Sequence, residues 1–148
     1  AAQGARIVTD LEGHSGVLAA IAAGQLASSR DWSLVVACDM PFLQVPLIRH
    51  MSSLRDEVDV IVPRLVVGME PLHAFYHRRS LPALCDALVR GRRRATSFYD
   101  GLHIRYVDES EIARHDPEGL SFLNINTPED LSRAQALLER ETDFTSRP

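Results

Sequence analysis

At 148 residues the chain has the length of one domain with a full apolar core. Its 45% apolar and 24% charged residues are the proportions of a soluble globular protein, and its net charge of −4 argues against a duplex nucleic-acid binder, which needs a basic face. No run approaches the roughly 18 uninterrupted apolar residues of a membrane span. Cys38 and Cys85 form neither a disulfide framework nor a metal cluster, and "AAQGARIVTD" carries no signal-peptide pattern, so a reducing cytoplasm is the expected setting. All sixteen basic residues are arginine, which rules out any chemistry requiring a lysine of this chain.

In chain order, "ARIVTD" reads as a short strand ending on Asp10, and "LEGHSG" as a loop with two glycines. "VLAAIAAGQLASS" sets Leu18, Ile21, Ala22 and Leu26 near helical spacing among good helix formers. "WSLVVACD" is a continuous apolar run with β-branched residues, the pattern of a strand covered on both faces, here ending on Asp39. "PLIRHMSSLRD" predicts a helix with proline in its first turn, and "VDVIVP" a second buried strand. "RLVV", "GM" and "EPLHAFYH" suggest two strands joined by a glycine turn.

"SLPALCDALVRG" reads as a helix capped by Ser80, with Pro82 in its first turn and Gly91 as its stop. A short helix in "RRRATSFYDG", a strand "LHIRYVD", a helical turn "SEIARH" and a strand "SFLNIN" follow. "TPEDLSRAQALLERE" is the best-defined helix, with Thr127 as cap, Pro128 in the first turn and Glu129 and Asp130 at the positive end of the dipole. The closing "TDFTSRP" is expected to fray. Strand–helix alternation in the first half implies a single α/β domain over 1–148. It would be a doubly wound, three-layer, mostly parallel sheet, with the central hairpin adding an antiparallel element.

In an open α/β sheet, ligands bind off the carboxyl ends of the parallel strands. Asp10 and Asp39 are expected there, as is Asn126, with Asn124 two residues back on the same strand face. Oxygen ligands at one edge suit Mg²⁺, which takes one or two carboxylates and fills its other positions with water and phosphate. An aspartate after a strand also serves as a turn cap, and the asparagine pair also fits turn chemistry before a helix. His73 and His77 fall on a strand and read as core or surface histidines, and Cys38 as packing in the buried strand. Arg90 to Arg94 read as a solvated helix end, or alternatively as a guanidinium clamp for a phosphorylated ligand.

The order of motifs, "VTD", "GHSGVLAAI", "VVACDMPF", "EPLHAFYHR", "LPAL…LVRGRRR" and "FLNINTPEDL", resembles molybdenum cofactor guanylyltransferase over nearly the whole chain. The resemblance implies a Rossmann-like nucleotidyltransferase fold. It also implies transfer of GMP from GTP to molybdopterin (Mo-molybdopterin) with Mg²⁺, giving the guanine dinucleotide form and pyrophosphate. By position, Asp39 matches the Mg²⁺-binding aspartate that also meets the nucleotide phosphates, and Asp10 the aspartate contacting bound nucleotide. Gly16 and Leu18 fall in the loop bordering the nucleotide pocket. Asn124 and Asn126 match the paired asparagines near the reacting phosphates and the pterin side.

Other molybdenum cofactor biosynthesis proteins and molybdoenzyme chaperones are implied partners. The family's opening Leu-x-Gly-Gly-x-Ser-x-Arg-Met-Gly-x-Asp-Lys loop has no counterpart here. The resemblance therefore implies an amino-terminally truncated or partly represented enzyme, inactive by itself and prone to self-association. A cytidylyltransferase acting on the same pterin and a non-catalytic nucleotide-binding or interaction module remain open as alternatives.

Overall fold

The computed structural model describes residues 4–145. One five-stranded sheet is formed by β1 (Trp32–Val36), β2 (Val60–Leu65), β3 (Gly68–Met69), β4 (His73–His77) and β5 (Ile104–Asp108). Strand β2 is central. It pairs parallel with β5 along one edge; on the other it pairs antiparallel with β4 at Val60 and Ile61 and with β3 at Arg64 and Leu65. Strand β4 then pairs antiparallel with β1, Trp32 opposite His77 and Val36 opposite His73. Strands β1, β2 and β5 therefore run the same way, as alternation predicts, but β4 is inserted between two of them. The mixed α/β sheet holds, and β2–β5 is its one parallel ladder among the described residues.

Helices cover both faces, giving three layers. Helices α1 (Val17–Ala27) and α3 (Leu81–Val89) pack with Val60, Val62, Ala74 and Tyr76 on one side. Helices α2 (Val45–Ser53) and α4 (Glu109–Ile112) pack with Ile61, Phe75 and Val107 on the other. The split follows from strand alternation: in β4, Ala74 and Tyr76 face one layer and Phe75 the other. Buried Tyr76 donates to the Pro71 carbonyl at 2.8 Å and shares a 3.0 Å hydroxyl contact with Tyr99.

Helix α5 (Pro128–Thr145) closes the described chain and includes Thr142 to Thr145 of the segment expected to fray; Ser146 to Pro148 lie outside the described residues. Helix α3 stops where glycine predicts: Gly91 at φ 70 sends its N–H to Leu88 O, while Arg92 N–H reaches Ala87 O. Ser80 departs from its expected cap role, donating its hydroxyl to His77 O at 2.8 Å from a 3₁₀ turn, Arg78–Ser80, that leads into α3.

Three other expectations are overturned. "ARIVTD" is not a strand among the described residues: Ile7 is 91% exposed, and no ladder reaches it. "SFLNIN" is not a strand: it begins within a 3₁₀ turn, Leu120–Phe122, and no ladder among the described residues reaches it, Ile125 N–H bonding instead to the Asp39 carbonyl. "RRRATSFYDG" is a series of turns anchored by buried Phe98 and Tyr99 rather than a helix.

Candidate active site

Strand β1 stops at Val36, three residues before Asp39, so the aspartate stands in a turn rather than at the strand's last position. The turn is tied at both ends. Ala37 N–H donates to Leu72 O at 2.9 Å, and Met40 N–H to Ala37 O at 3.3 Å. Met40 and Phe42 are buried while Pro41 between them is exposed, so two apolar side chains hook the turn into the core. Asp39 is left half-buried, and its carboxylate has no hydrogen-bond or ion-pair partner among the described residues. Cys38 is exposed beside it, not packed within a strand as the apolar run suggests.

The Asp39 carbonyl accepts the N–H of Ile125 at 2.9 Å. That bond brings the far end of the sequence to this edge. Ile125 is half-buried while Asn124 and Asn126 on either side are exposed, so the alternation read from sequence survives without the strand. The turn-chemistry alternative is met by neighbours instead. Asp130 accepts from Asn126 N–H at 3.1 Å and Thr127 N–H at 2.9 Å, and Thr127 Oγ1 accepts from Asp130 N–H at 3.1 Å. This is a reciprocal capping box. The bonds from Thr127 and Asn126 hold the Asp130 carboxyl below its usual value. Both asparagine side-chain amides stay without a partner among the described residues, and Asn124 lines a pocket of about 290 Å³ with Glu118, Asp130 and Arg133.

Asp10 and Gly16 lie together elsewhere along the same side. They line a cleft of about 660 Å³ between α1 and the edge of β1 that no described strand pairs, together with Ala20, Ile21, Val35 and Leu72. Leu72 connects the two places, since it lines the cleft and its carbonyl ties the Asp39 turn. Gly16 adopts φ 92 at the start of α1 and offers no side-chain cap to its first turn. Leu18 falls apart from this group. At 1% exposure it packs in the core, so its side chain does not line the cleft.

Sequence reasoning missed several groups near the edge. Glu70 precedes β4, and burial pushes its carboxyl up. Asp116 is buried and accepts from Leu120 N–H at 2.9 Å and Ser121 N–H at 2.8 Å, shaping the loop before Asn124. The "DP" turn at Asp116 was the available signal. On the α2–α4 face, Glu111 accepts from Arg105 at 2.7 and 2.9 Å and contacts His50 at 2.7 Å. Burial opposes its charge, yet His50 and Arg105 hold its carboxyl below the usual value. The Arg92–Arg94 run is exposed, and Arg90 pairs with Asp86 one helical turn away at 2.9 Å, as a solvated helix end does.

A mixed sheet with helices on both faces, and an aspartate turn beyond β1 bonded to the Asn124–Asn126 segment, defines a three-layer α/β domain. The chain belongs to the MobA-like NTP transferase domain family, which it matches over residues 1–107. It is 37% identical over 134 residues to a molybdenum cofactor guanylyltransferase of Desulfosudis oleivorans, covering 90% of this chain and 66% of that protein. A molybdenum cofactor guanylyltransferase of Vibrio vulnificus is 36% identical over 119 residues, covering 80% and 58%. Among solved structures, molybdopterin-guanine dinucleotide biosynthesis protein A of Archaeoglobus fulgidus superposes with a TM-score of 0.77 at 29% identity, covering 88% of this chain and 67% of that one. The chain thus spans about two thirds, or less, of the length of the curated relatives it matches.

Proposed function

We propose that the protein transfers GMP from GTP to molybdopterin. A phosphate oxygen of the pterin attacks the α-phosphorus of GTP, the bond to the β-phosphate bridging oxygen breaks, and pyrophosphate leaves. The observation that supports this reading is the Ile125–Asp39 backbone bond, which joins the Asn124–Asn126 segment to the Asp39 turn.

Asp39 fits Mg²⁺. It is half-buried in its turn, with a carboxylate that has no partner among the described residues. The chain would therefore contribute one carboxylate and leave the remaining positions to water and phosphate, the arrangement Mg²⁺ favours. When bound, Mg²⁺ neutralises charge on the transferring phosphates. Asp39 holds the nucleotide phosphates' side of the site. Asn124 and Asn126 orient the acceptor through their side-chain amides. Gly16 and Asp10 border the nucleotide in the α1–β1 cleft.

Pyrophosphate release by purified protein with Mg²⁺ and molybdopterin tests this, with GTP and CTP compared. In protein that includes the family's glycine-rich opening loop, GTP is expected to support turnover and CTP to support little. Preference for CTP would replace guanylyl by cytidylyl transfer, and binding of either nucleotide without turnover would favour a non-catalytic module.

A further inference from the structure

His73 is fully buried at the first position of β4, opposite Val36, at the same end of the sheet as the Asp39 turn. A neutral imidazole carries one N–H donor and one acceptor nitrogen. Here neither ring nitrogen has a hydrogen-bond partner among the described residues. A buried ring nitrogen left without a partner is costly, so phenylalanine would fill this place more cheaply unless the imidazole finds one. The ring's surroundings suggest what it is kept for. Its edge meets Phe122, with centroids 5.2 Å apart and planes at 60°. The buried Asp116 carboxylate lies within electrostatic reach of the ring, and its oxygens already hold the amides of Leu120 and Ser121. Ser121, also fully buried, accepts from Gln44 N–H at 3.4 Å just ahead of α2. The loop 116–122 therefore rests on His73 and runs directly into Asn124, Ile125 and Asn126.

We propose that His73 is a positioning residue for the asparagine segment, tied to the Asp116 carboxylate through one internal water. Such waters make two to four bonds to groups otherwise left unsatisfied. The ring gives the loop a directional anchor that an apolar side chain could not, and so fixes the register in which Ile125 N–H meets Asp39 O. The inference builds on the reading of this edge as the reacting site, but its test does not depend on turnover.

The measurement is native-state amide exchange on the protein and two variants, His73→Phe and His73→Gln. His73→Phe is expected to melt at the same or a higher temperature while Ile125 loses about tenfold in protection and Val62 in the core loses none. His73→Gln, which keeps a donor and an acceptor, is expected to retain most of that protection. In the transfer assay, His73→Phe should raise the KM for molybdopterin several-fold with the KM for GTP unchanged. Unaltered Ile125 protection in His73→Phe overturns the inference. Equal loss in both variants overturns it too, because ring shape and not hydrogen bonding would then hold the loop. If no transfer is found in the parent protein, yet Ile125 protection still depends on His73, the functional reading fails and the positioning role stands.

Discussion

Strands β1 and β2 are built from similar letters, "WSLVV" and "VIVPRL", and have opposite surroundings. Val60, Ile61 and Val62 of β2 are wholly buried, flanked by β4 and β5 and covered by helices on both faces. No residue of β1 is fully buried, and Val36 is 37% exposed, because β4 covers one edge and a cleft lies along the other. An apolar run identifies a strand, but neighbours decide its burial. The buried strand gives the sheet rigidity, and the half-covered one delivers Asp39 to where a ligand can reach it.

The largest break in this comparison should come at the end of β1. Asp39→Asn removes the charge and keeps the size, so Mg²⁺-dependent transfer should fall at least about 100-fold. The melting temperature should hardly change, since the carboxylate has no partner among the described residues to lose. Near-normal turnover in that variant would refute the metal assignment.

Next in size is the contrast in packing. Ile61→Ala in β2 should cost about 2–5 kcal/mol, and Leu34→Ala in β1, half-buried, about 2 kcal/mol or less. Chemical denaturation reads both. Equal losses would mean that β1 is as well covered in solution as β2.

A smaller effect separates cap from site. Thr127→Ala should destabilise by about 1 kcal/mol, because its hydroxyl accepts the Asp130 N–H. Asn124→Ala and Asn126→Ala should leave the melting point nearly unchanged and raise the KM for the acceptor instead. Were the asparagine variants to lose stability with kinetics intact, these residues would be turn formers only.

The smallest expected effect is on pH. Burial pulls the His73 ring below its usual value, against an opposing pull from Asp116, and burial and Arg79 act the same way on His77. The unfolded chain therefore takes up these protons first as pH falls. Stability from the neutral rings is complete above the ordinary imidazole value and is lost between about pH 6.5 and the folded-state values. Glu111 and Asp59, held low by their partners against burial, lose their contribution at more acid pH. Glu70, held high by burial, acts in the opposite sense. Urea midpoints from pH 7 to pH 5.5 should decline gently, and less so in His73→Phe.

Local signals were legible wherever the physics is local. Thr127 caps α5, Gly91 ends α3, and the runs around Val35 and Ile61 are strands. What failed depends on partners far along the chain. "ARIVTD" has β-branched residues but pairs with no described strand. The insertion of β4 between β1 and β2 cannot be read from alternation, which gives strand existence and not neighbour order. Leu18 matched by position in the motif order, yet helical geometry turns its side chain to the core. Asp39 and the Asn124–Asn126 segment, singled out by separate motifs, are joined by the Ile125–Asp39 backbone bond. The backbone bond that unites them and the buried His73 beneath them leave no trace in spacing.

That backbone bond also bears on the order of folding. Ile125 and Asp39 are separated by most of the chain, with strands β2 to β5 between them. Closing so long a loop is entropically slow, whereas the β2–β3 hairpin and the helices form from near neighbours. The sheet can therefore assemble before the edge joining Asp39 to Ile125 exists. Under the proposed function, competence to act would arrive only once the Asn124–Asn126 segment reaches the Asp39 turn, later than compactness.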